Sequence, residues 1–203
     1  MLPEKGLIVS CYMHSMTQCT KVLIDTIWEI DEVKTLRIEG IDNINHAKRL
    51  KDIKHKYIIG LIKDKERELA GLPYISASID DIKRLCDYSG ADMIAIDSRI
   101  SGHDEEENIY DLYESSALPI MADIKEEIEA EIAFNYGASI IATTFLNKGF
   151  DLAKILVKEG FPVNIEGGLT SYRDIRRAKN IGATWWTVGR AIHDVKTIVT
   201  QFV

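Results

Sequence analysis

The segment Tyr57-Ile-Ile-Gly-Leu-Ile-Lys63 is an apolar run that ends in a charged residue, and the chain repeats this design in eight places. Successive runs mostly end 21 to 28 residues apart, which is room for a strand, a helix and two loops. Eight such units, with polar residues where the strands end, predict a (β/α)8 barrel of the TIM type with its active site at the carboxyl ends of the strands. The runs end at Cys11, Glu39, Lys63, Asp97, Asp123, Thr144, Glu166 and the pair Gly189-Arg190.

A second repeat favours parallel strands. Gly90, Gly137 and Gly182 each follow a helical pattern, and each precedes an alanine and an apolar strand. Parallel neighbours need helical crossovers of this kind. An open doubly wound sheet is the alternative, but its glycine-rich fingerprint would follow the first strand, where this chain reads Ser10-Cys-Tyr-Met-His14. We interpret an additional extended piece, residues 72–78, as part of the third loop and not as a ninth barrel strand.

The composition is typical of one globular domain. The 203 residues are 46% apolar and 28% charged, so we expect a single compact barrel domain over residues 1–203. The net charge of -7 argues against nucleic acid as a partner. We expect a cytoplasmic protein that does not enter membranes, because no apolar stretch approaches about 18 residues and the first residues lack a signal-peptide layout. The three cysteines lack metal-ligand spacing and are expected to be reduced thiols.

Helical periodicity falls between the strands. Ser78 is expected to begin one helix, and Ser171 with Asp174 forms a capping-box pattern at the start of another. A last helix is expected to begin near Asp194. The apolar spacing predicts helices over residues 43–54, 79–88, 125–136 and 171–180.

Two strand ends carry candidate catalytic residues. Lys63 follows a buried strand, where desolvation of the amine favours base or Schiff-base chemistry. The alternative is a lysine that extends into a solvated loop formed by the charged residues 64–67. Glu166 ends the seventh run and precedes two glycines, so its carboxylate at the barrel mouth suits general acid–base catalysis. The alternative for Glu166 is a cap for the following helix.

Two glycine-rich loops follow the seventh and eighth strands. They contain Gly167-Gly168 and Gly189-Arg190. Loops at these positions of the fold commonly bind phosphate through backbone N–H groups and a short helix N-terminus. The guanidinium group of Arg190 would add a positive charge and further hydrogen-bond donors. The sequence therefore predicts a phosphate site formed by Gly167, Gly168, Gly189 and Arg190.

Four further charged residues lie on predicted strands. Asp97 and Asp123 end the fourth and fifth strands, where each can bind a sugar hydroxyl, orient a lysine or ligate a metal. The histidines are scattered, so we expect no metal. Arg37 and Glu39 alternate on the second strand and therefore point the same way. They either neutralise each other inside the barrel or bind substrate.

Seven short motifs, taken in order, resemble those of the N-acetylmannosamine-6-phosphate 2-epimerases, bacterial enzymes of sialic-acid catabolism. The resemblance runs over almost the whole chain and implies a (β/α)8 barrel, inversion at C2 of a 6-phosphorylated N-acyl hexosamine, no metal or organic cofactor, and a homodimer. The motifs are Gly6-Leu-Ile-Val-Ser-Cys11, Ile59-Gly-Leu-Ile-Lys63, Ile94-Ala-Ile-Asp97, Met121-Ala-Asp-Ile124, Ala142-Thr-Thr144, Ile165-Glu-Gly167 and Val188-Gly-Arg-Ala-Ile192.

The resemblance implies roles for individual residues. Its catalytic lysine and glutamate match Lys63 and Glu166, and its substrate-binding arginine and aspartate match Arg37 and Asp97. The chain departs from the family's pattern at Tyr12, where a glutamine is usual, and at the pair His193-Asp194, where the family has threonine and arginine. Arg190 stands where the family has a small residue and could replace the missing charge. The substrate-binding candidates are Arg37, Asp97, Asp123 and Thr144.

The expected function is conversion of N-acetylmannosamine 6-phosphate to N-acetylglucosamine 6-phosphate by proton transfer at C2. The expected partner is thus a small phosphorylated sugar, and no cofactor is needed. One alternative is a lyase or aldolase in which Lys63 forms a Schiff base with a phosphorylated keto acid. The other is a non-catalytic barrel that binds a sugar phosphate.

Overall fold

Eight parallel strands close into a barrel in the computed structural model, which describes residues 2–11, 17–51, 53–103 and 108–193. The strands are β1 (Gly6–Cys11), β2 (Thr35–Glu39), β3 (Tyr57–Leu61), β4 (Met93–Asp97), β5 (Ile120–Asp123), β6 (Ile140–Ala142), β7 (Val163–Ile165) and β8 (Trp185–Val188). Each strand pairs with the next one along the chain, and β8 pairs with β1 to close the ring. This order confirms the predicted (β/α)8 fold.

The helices that connect the strands are α1 (Thr17–Trp28), α2 (Ile41–Leu50), α3 (Lys65–Leu69), α4 (Ile79–Tyr88), α5 (Ile109–Glu114), α6 (Glu127–Asn135), α7 (Phe150–Lys158) and α8 (Tyr172–Ile181). A short helix, α9 (Arg190–His193), follows β8. Both α3 and α4 lie between β3 and β4, which accounts for the longest interval in the repeat. No helix in the described ranges combines the length and apolar character that crossing a membrane requires. Tyr12 and Asp194, with the helix expected near Asp194, lie outside the described residues.

Capping residues begin two helices where the sequence predicts them. The prediction over 79–88 coincides with α4, and the Ser78 hydroxyl accepts a hydrogen bond of 3.2 Å from a backbone N–H of the first turn. Ser171 and Asp174 form the predicted capping box, which begins α8. Since these side chains satisfy N–H groups that have no partner within the helix, they fix where each helix begins.

The other two predicted helices are shorter than their apolar patterns. The structure places α6 over Glu127–Asn135, inside the predicted range 125–136. The prediction over 43–54 runs four residues beyond α2, which ends at Leu50. That prediction counted Ile53 as part of a buried face, but Ile53 is 81% exposed. Burial therefore does not favour extending α2 to this residue.

The additional segment at residues 72–78 belongs to the loop between β3 and α4, as predicted. Ile75 forms a single antiparallel bridge with Lys63, and the barrel closes without the segment. Ile75 is 1% exposed and packs with the apolar side chains of the barrel interior. The segment therefore forms part of the wall beside Lys63.

Apolar side chains pack on both faces of the barrel wall. The interior cluster includes Ile59, Met93, Met121 and Trp185. A larger cluster fills the space between the strands and the helices, and Trp186 packs against that cluster. Interior layers of this kind make a TIM barrel a packed core and not a pore. The polar residues at the strand ends therefore lie directly above a layer of packed apolar side chains.

All three cysteines are free thiols, as expected. Cys11 ends β1 and is completely buried. Burial raises the pKa of its thiol to about 12. Because the thiolate is the nucleophilic form, Cys11 is a packing residue at neutral pH and not a reactive one.

Candidate active site

A small cleft opens at the carboxyl ends of the strands. Its volume is about 330 Å³, including its open mouth. Lys63 follows β3 and Glu166 follows β7, yet both side chains line this one cleft. The fold therefore brings the predicted catalytic pair together. The other lining residues are Ser10, Arg37, Glu39, Leu61, Tyr74, Ile75 and Thr144.

Arg37 joins three strands beneath and beside the cleft. Its side chain is 2% exposed; Nη2 lies 2.5 Å from Asp123 Oδ2, and Nη1 forms an ion pair with Glu166. Burial by itself would lower the pKa of Arg37, but the carboxylates of Asp123 and Glu166 outweigh burial and raise it. Arg37 therefore stays charged and holds both carboxylates in place.

Asp123 lies beneath the cleft and not in its lining. One of its oxygens accepts from Arg37, and Thr144 Oγ1 donates a hydrogen bond to the other. Burial raises the pKa of Asp123, whereas the charge of Arg37 acts in the opposite direction. The structure thus places Asp123 as a support for two lining residues, Arg37 and Thr144. Direct contact of Asp123 with substrate stays a prediction.

Glu166 is fixed by side chains of the barrel interior. Asn164 Nδ2 donates a hydrogen bond of 3.3 Å to Glu166 Oε2, and Thr187 Oγ1 donates one of 3.1 Å to Asn164 Oδ1. The backbone N–H of Glu166 donates to Thr143 Oγ1 at 3.3 Å. The cap of the following helix is Ser171, so the capping role considered for Glu166 belongs to another residue. Glu166 is a positioned carboxylate that is 12% exposed.

Lys63 turns into the cleft and not into the solvated loop that follows it. Its side chain is 19% exposed, and Nζ lies 3.7 Å from Glu39 Oε2. Arg37 and Glu39 share one face of β2, as predicted, but the proposed mutual pair is wrong. Arg37 is committed to Asp123 and Glu166, and Glu39 is the ion-pair partner of Lys63. Burial raises the pKa of Glu39 to about 6.

Asp97 is not among the residues that line the cleft. Arg99 donates two hydrogen bonds of 2.9 and 2.8 Å to its carboxylate, and the backbone N–H of Tyr74 donates a third at 2.9 Å. The Arg99 guanidinium also lies 4.3 Å from the ring centre of Phe145. Asp97 therefore supports the wall that carries Tyr74, and its contact with substrate stays a prediction. An arginine two residues after the aspartate was the sequence signal for this pair.

The predicted phosphate residues form a separate region, which we call the glycine loops: Gly167-Gly168 after β7 and Gly189-Arg190 after β8. Gly167 and Gly168 have φ values of +90° and +78°. A Cβ atom on Gly167 would lie 2.2 Å from the carbonyl oxygen of Leu146, so only glycine fits. Arg190 is exposed, and none of the four residues lines the cleft. Their contact with phosphate stays a prediction.

The charge balance distinguishes the cleft from the glycine loops. Arg37 and Lys63 are positive, whereas Glu39, Asp123 and Glu166 are negative when ionised, so the cleft does not attract a dianion. The amine and carboxylates around its small volume suit proton transfer on a neutral part of a substrate. Within the described ranges, no three His, Cys, Asp or Glu side chains are grouped to hold a metal ion.

Comparison with known proteins identifies the family. Residues 25–203 match the family NanE, described as "Putative N-acetylmannosamine-6-phosphate epimerase". The chain belongs to this family. It is 32% identical over 179 residues to the "Putative N-acetylmannosamine-6-phosphate 2-epimerase" of Pasteurella multocida, and 31% identical over 179 residues to the protein of the same name from Haemophilus influenzae. Each alignment covers 82% of this chain and 75% of the relative.

A solved structure supports the same assignment. The N-acetylmannosamine-6-phosphate 2-epimerase from Clostridium perfringens superposes with a TM-score of 0.82 and 25% sequence identity, over 97% of this chain and 91% of that chain. The resemblance drawn from the seven motifs is thereby confirmed. Family membership places this chain among the carbohydrate epimerases, which are isomerases.

The sequence did not point to two residues around the cleft, Tyr74 and Asn164, and it pointed to a third, Glu39, without its partner. Tyr74 reaches the cleft from the loop segment 72–78, which has no strand pattern of its own. Asn164 is a fully buried amide inside β7, and its interruption of an apolar run was the available signal. Glu39 was recognised as inward-facing, but its partner Lys63 could be assigned only once the register of β2 and β3 was known.

Proposed function

We propose that this protein is an N-acetylmannosamine-6-phosphate 2-epimerase, which converts that sugar phosphate to N-acetylglucosamine 6-phosphate. The observation that supports this proposal is the shared cleft of Lys63 and Glu166 in a chain of the NanE family. The two sugars differ only in configuration at C2. Their interconversion therefore requires removal of the C2 proton and return of a proton to the opposite face.

Lys63 is the proposed proton-transfer base. Once the sugar ring opens, C1 becomes an aldehyde and the C2 hydrogen becomes acidic. The neutral amine of Lys63 accepts that proton, and the electrons of the C–H bond move towards the C1 oxygen, which takes up a proton to give an enol. Return of the proton from the Lys63 ammonium to C2 on the other face, as the C1 oxygen gives up its proton and the electrons move back, gives the epimer and restores the neutral amine. This assignment rests on the side chain of Lys63, which lines the cleft and is only 19% exposed.

Glu166 is the proposed partner of Lys63. Its carboxylate can assist ring opening by proton transfer at the sugar oxygens and can stabilise the enol. Arg37 and Asn164 hold that carboxylate, so its orientation does not depend on the substrate. Arg37 and Thr144 are proposed to bind sugar oxygens from the cleft lining. Asp97 and Asp123 complete the proposed substrate site as supports of its walls.

The glycine loops are the proposed phosphate site. Two carboxylates and two cationic side chains line the cleft, and the carboxylate of Asp123 lies beneath it, so a phosphate group is better placed outside the cleft. Gly167, Gly168 and Gly189 carry no side chains of their own that would cover their backbone N–H groups, and the exposed Arg190 adds a positive charge. We further propose a cytoplasmic homodimer that needs no metal or organic cofactor and has no nucleic-acid partner.

Proton NMR in deuterium oxide tests the proposed function. With N-acetylmannosamine 6-phosphate, the C2 proton signal should disappear as deuterium enters that position, and the signals of the N-acetylglucosamine epimer should grow. Unphosphorylated N-acetylmannosamine should react far more slowly, because it lacks the group that the glycine loops bind. Equal use of the two sugars would contradict the phosphate site.

The same samples separate the other reaction classes. Binding of the sugar phosphate without deuterium at C2 would indicate a non-catalytic barrel. Treatment with borohydride in the presence of substrate, followed by mass spectrometry of the Lys63 peptide, should leave the lysine unmodified. A reduced adduct on Lys63 would indicate Schiff-base chemistry in place of direct proton transfer.

A further inference from the structure

Three carboxylates lie in or under the cleft, and they are held in different ways. Asp123 and Glu166 both contact the buried guanidinium of Arg37. Glu39 lies on the same strand as Arg37, but its ion-pair partner is Lys63. The cleft thus contains one arginine-bound group of carboxylates and one carboxylate that faces the candidate base.

The backbone, and not a flexible surface contact, brings Glu39 and Lys63 together. In the parallel pairing of β2 and β3, Glu39 lies opposite Leu61. Lys63 is two residues beyond Leu61, so its side chain projects to the same face as that of Leu61. Both charged side chains are largely buried, with 20% of Glu39 and 19% of Lys63 exposed.

One oxygen of Glu39 has an unmet hydrogen-bonding capacity. Glu39 Oε2 is buried and receives no hydrogen bond from any residue that the structure describes. Its distance of 3.7 Å to Lys63 Nζ allows an ion pair but is too long for a hydrogen bond. Buried polar atoms normally have a partner, so an exception in an enzyme cleft calls for a functional reason.

We propose that Glu39 is a positioning residue for Lys63, whose ammonium form it holds against the wall of the cleft between turnovers. The inference rests on the proposed function for the role of Lys63 as base. A substrate carbon between two catalytic groups would need about 3 Å on each side, so groups only 3.7 Å apart lie on one side of the substrate. Glu39 therefore acts through Lys63, and Glu166 remains the candidate group across the barrel mouth.

The charge of Glu39 depends on its surroundings. The pKa of Glu39 is raised to about 6. Burial is the largest cause and Glu68 acts in the same direction, whereas Lys63, Lys65 and Arg37 act to lower the pKa. These groups come from the end of β3, from α3 and from β2, and Glu166 faces the same cleft from β7. Glu39 should therefore hold Lys63 above about pH 6 and release it below.

Carbon-13 NMR of the reductively methylated protein tests the contact without relying on catalysis. Methylation keeps lysines charged, and the Lys63 signal is identified by its loss in Lys63→Arg. The Lys63 signal should show a titration step near pH 6 in the native sequence, and Glu39→Gln should abolish that step. Glu66→Gln, which removes an exposed carboxylate from α3, should retain the step. A missing step in the native sequence, or its survival in Glu39→Gln, overturns the proposal.

Kinetics with N-acetylmannosamine 6-phosphate tests the positioning role. At neutral pH, Glu39→Gln should lower kcat about tenfold with KM little changed, because a misplaced catalytic group costs rate more than binding. Glu39→Asp, which keeps the charge, should recover part of the loss. An unchanged kcat in Glu39→Gln overturns the role even if the NMR step is lost. If the native protein does not epimerise the sugar, the proposed function fails, and the NMR titration still decides the contact.

Discussion

The cleft and the glycine loops lie at the same end of the barrel, but they are built from different parts of the chain. In the cleft, side chains on separate strands hold one another, as Arg37 holds Asp123 and Glu166. In the glycine loops, the backbone itself sets the geometry, as the φ of +90° at Gly167 shows. The cleft should therefore be sensitive to charge and pH, and the loops to the addition of a single carbon atom.

Arg37→Met should have the largest effect, because it leaves two carboxylates buried without a counter-charge. We expect the free energy of unfolding to fall by about 3–5 kcal/mol, the range for breaking a buried ion pair. The fall should be larger at mildly alkaline than at mildly acidic pH. Burial already raises the pKa of Asp123, and removing Arg37 raises it further. A folded-state pKa above the unfolded value favours folding at low pH, and this benefit is lost as the pH rises.

Urea unfolding at the two pH values measures the effect of Arg37→Met, with Arg84→Met as the matched control. Arg84 lies on the exposed side of α4, 3.9 and 3.7 Å from Asp80 and Asp81. Exposed pairs of this kind contribute about 0.5 kcal/mol or less. Equal losses in the two variants would show that charges in the cleft are no more important to stability than charges on the surface.

Lys63→Ala should have the next largest effect, and on catalysis alone. Turnover should fall by at least about 100-fold, the scale of a positioned acid–base group, while circular dichroism stays native. The double variant with Glu166→Gln should be little worse than the poorer single variant, since groups that act as a unit are non-additive. Lys65→Ala, on the exposed side of α3, is the control. Near-native turnover in folded Lys63→Ala would remove Lys63 from the mechanism.

Gly167→Ala tests the glycine loops and should cost less than the loss of Arg37. Gly137 provides the control, since it has a φ of +98° and a Cβ atom there would meet nothing within 4 Å. Gly137→Ala should cost about 1–2 kcal/mol from backbone strain alone. Gly167→Ala should cost about 1–3 kcal/mol more, because the Leu146 carbonyl would have to move. Thermal unfolding compares the two variants. Equal stabilities would mean that the closeness of the Leu146 carbonyl oxygen to Gly167 does not constrain the turn after β7.

Arg190→Gln should have the smallest effect. KM for the phosphorylated sugar should rise about tenfold, the size of one exposed charge-assisted hydrogen bond, with kcat unchanged. Inorganic phosphate should raise the thermal midpoint of the native sequence more than that of the variant. Arg173→Gln, at an exposed arginine of α8, should behave like the native sequence. A matching rise in KM for Arg173→Gln would point to general attraction and not to a site.

The barrel was predictable because its signal is local and repeated. Each apolar run needs only its own residues to indicate a buried strand, and eight runs at similar spacing leave few other folds. The same regularity identified the segment 72–78 as an insertion, since it breaks the spacing. Helix starts followed from side chains such as Ser78, which bond to the turn immediately after them.

The partners within the site were not predictable, because they come from distant parts of the chain. Arg37 and Asp123 are 86 residues apart, and no local pattern says that they meet. Alternation on β2 correctly placed Arg37 and Glu39 on one face, but it does not reveal which charges approach that face from other strands. Asp97 shows the opposite case, because its partner Arg99 is only two residues away in the sequence. Contact of Asp97 with substrate stays a prediction.

The contacts of Arg37 also determine how much of the chain a complete site requires. One carboxylate partner ends β5 and the other follows β7, so a partial barrel that ends before β5 would contain the arginine without either counter-charge. A chain that stops before β7 would supply only one of them. The contact between Arg37 and Asp123 closes a loop of 86 residues, and the free energy that it contributes has to exceed the entropic cost of that closure. Because the partners of Arg37 lie so far along the chain, no half-barrel fragment contains all three residues of this charged group.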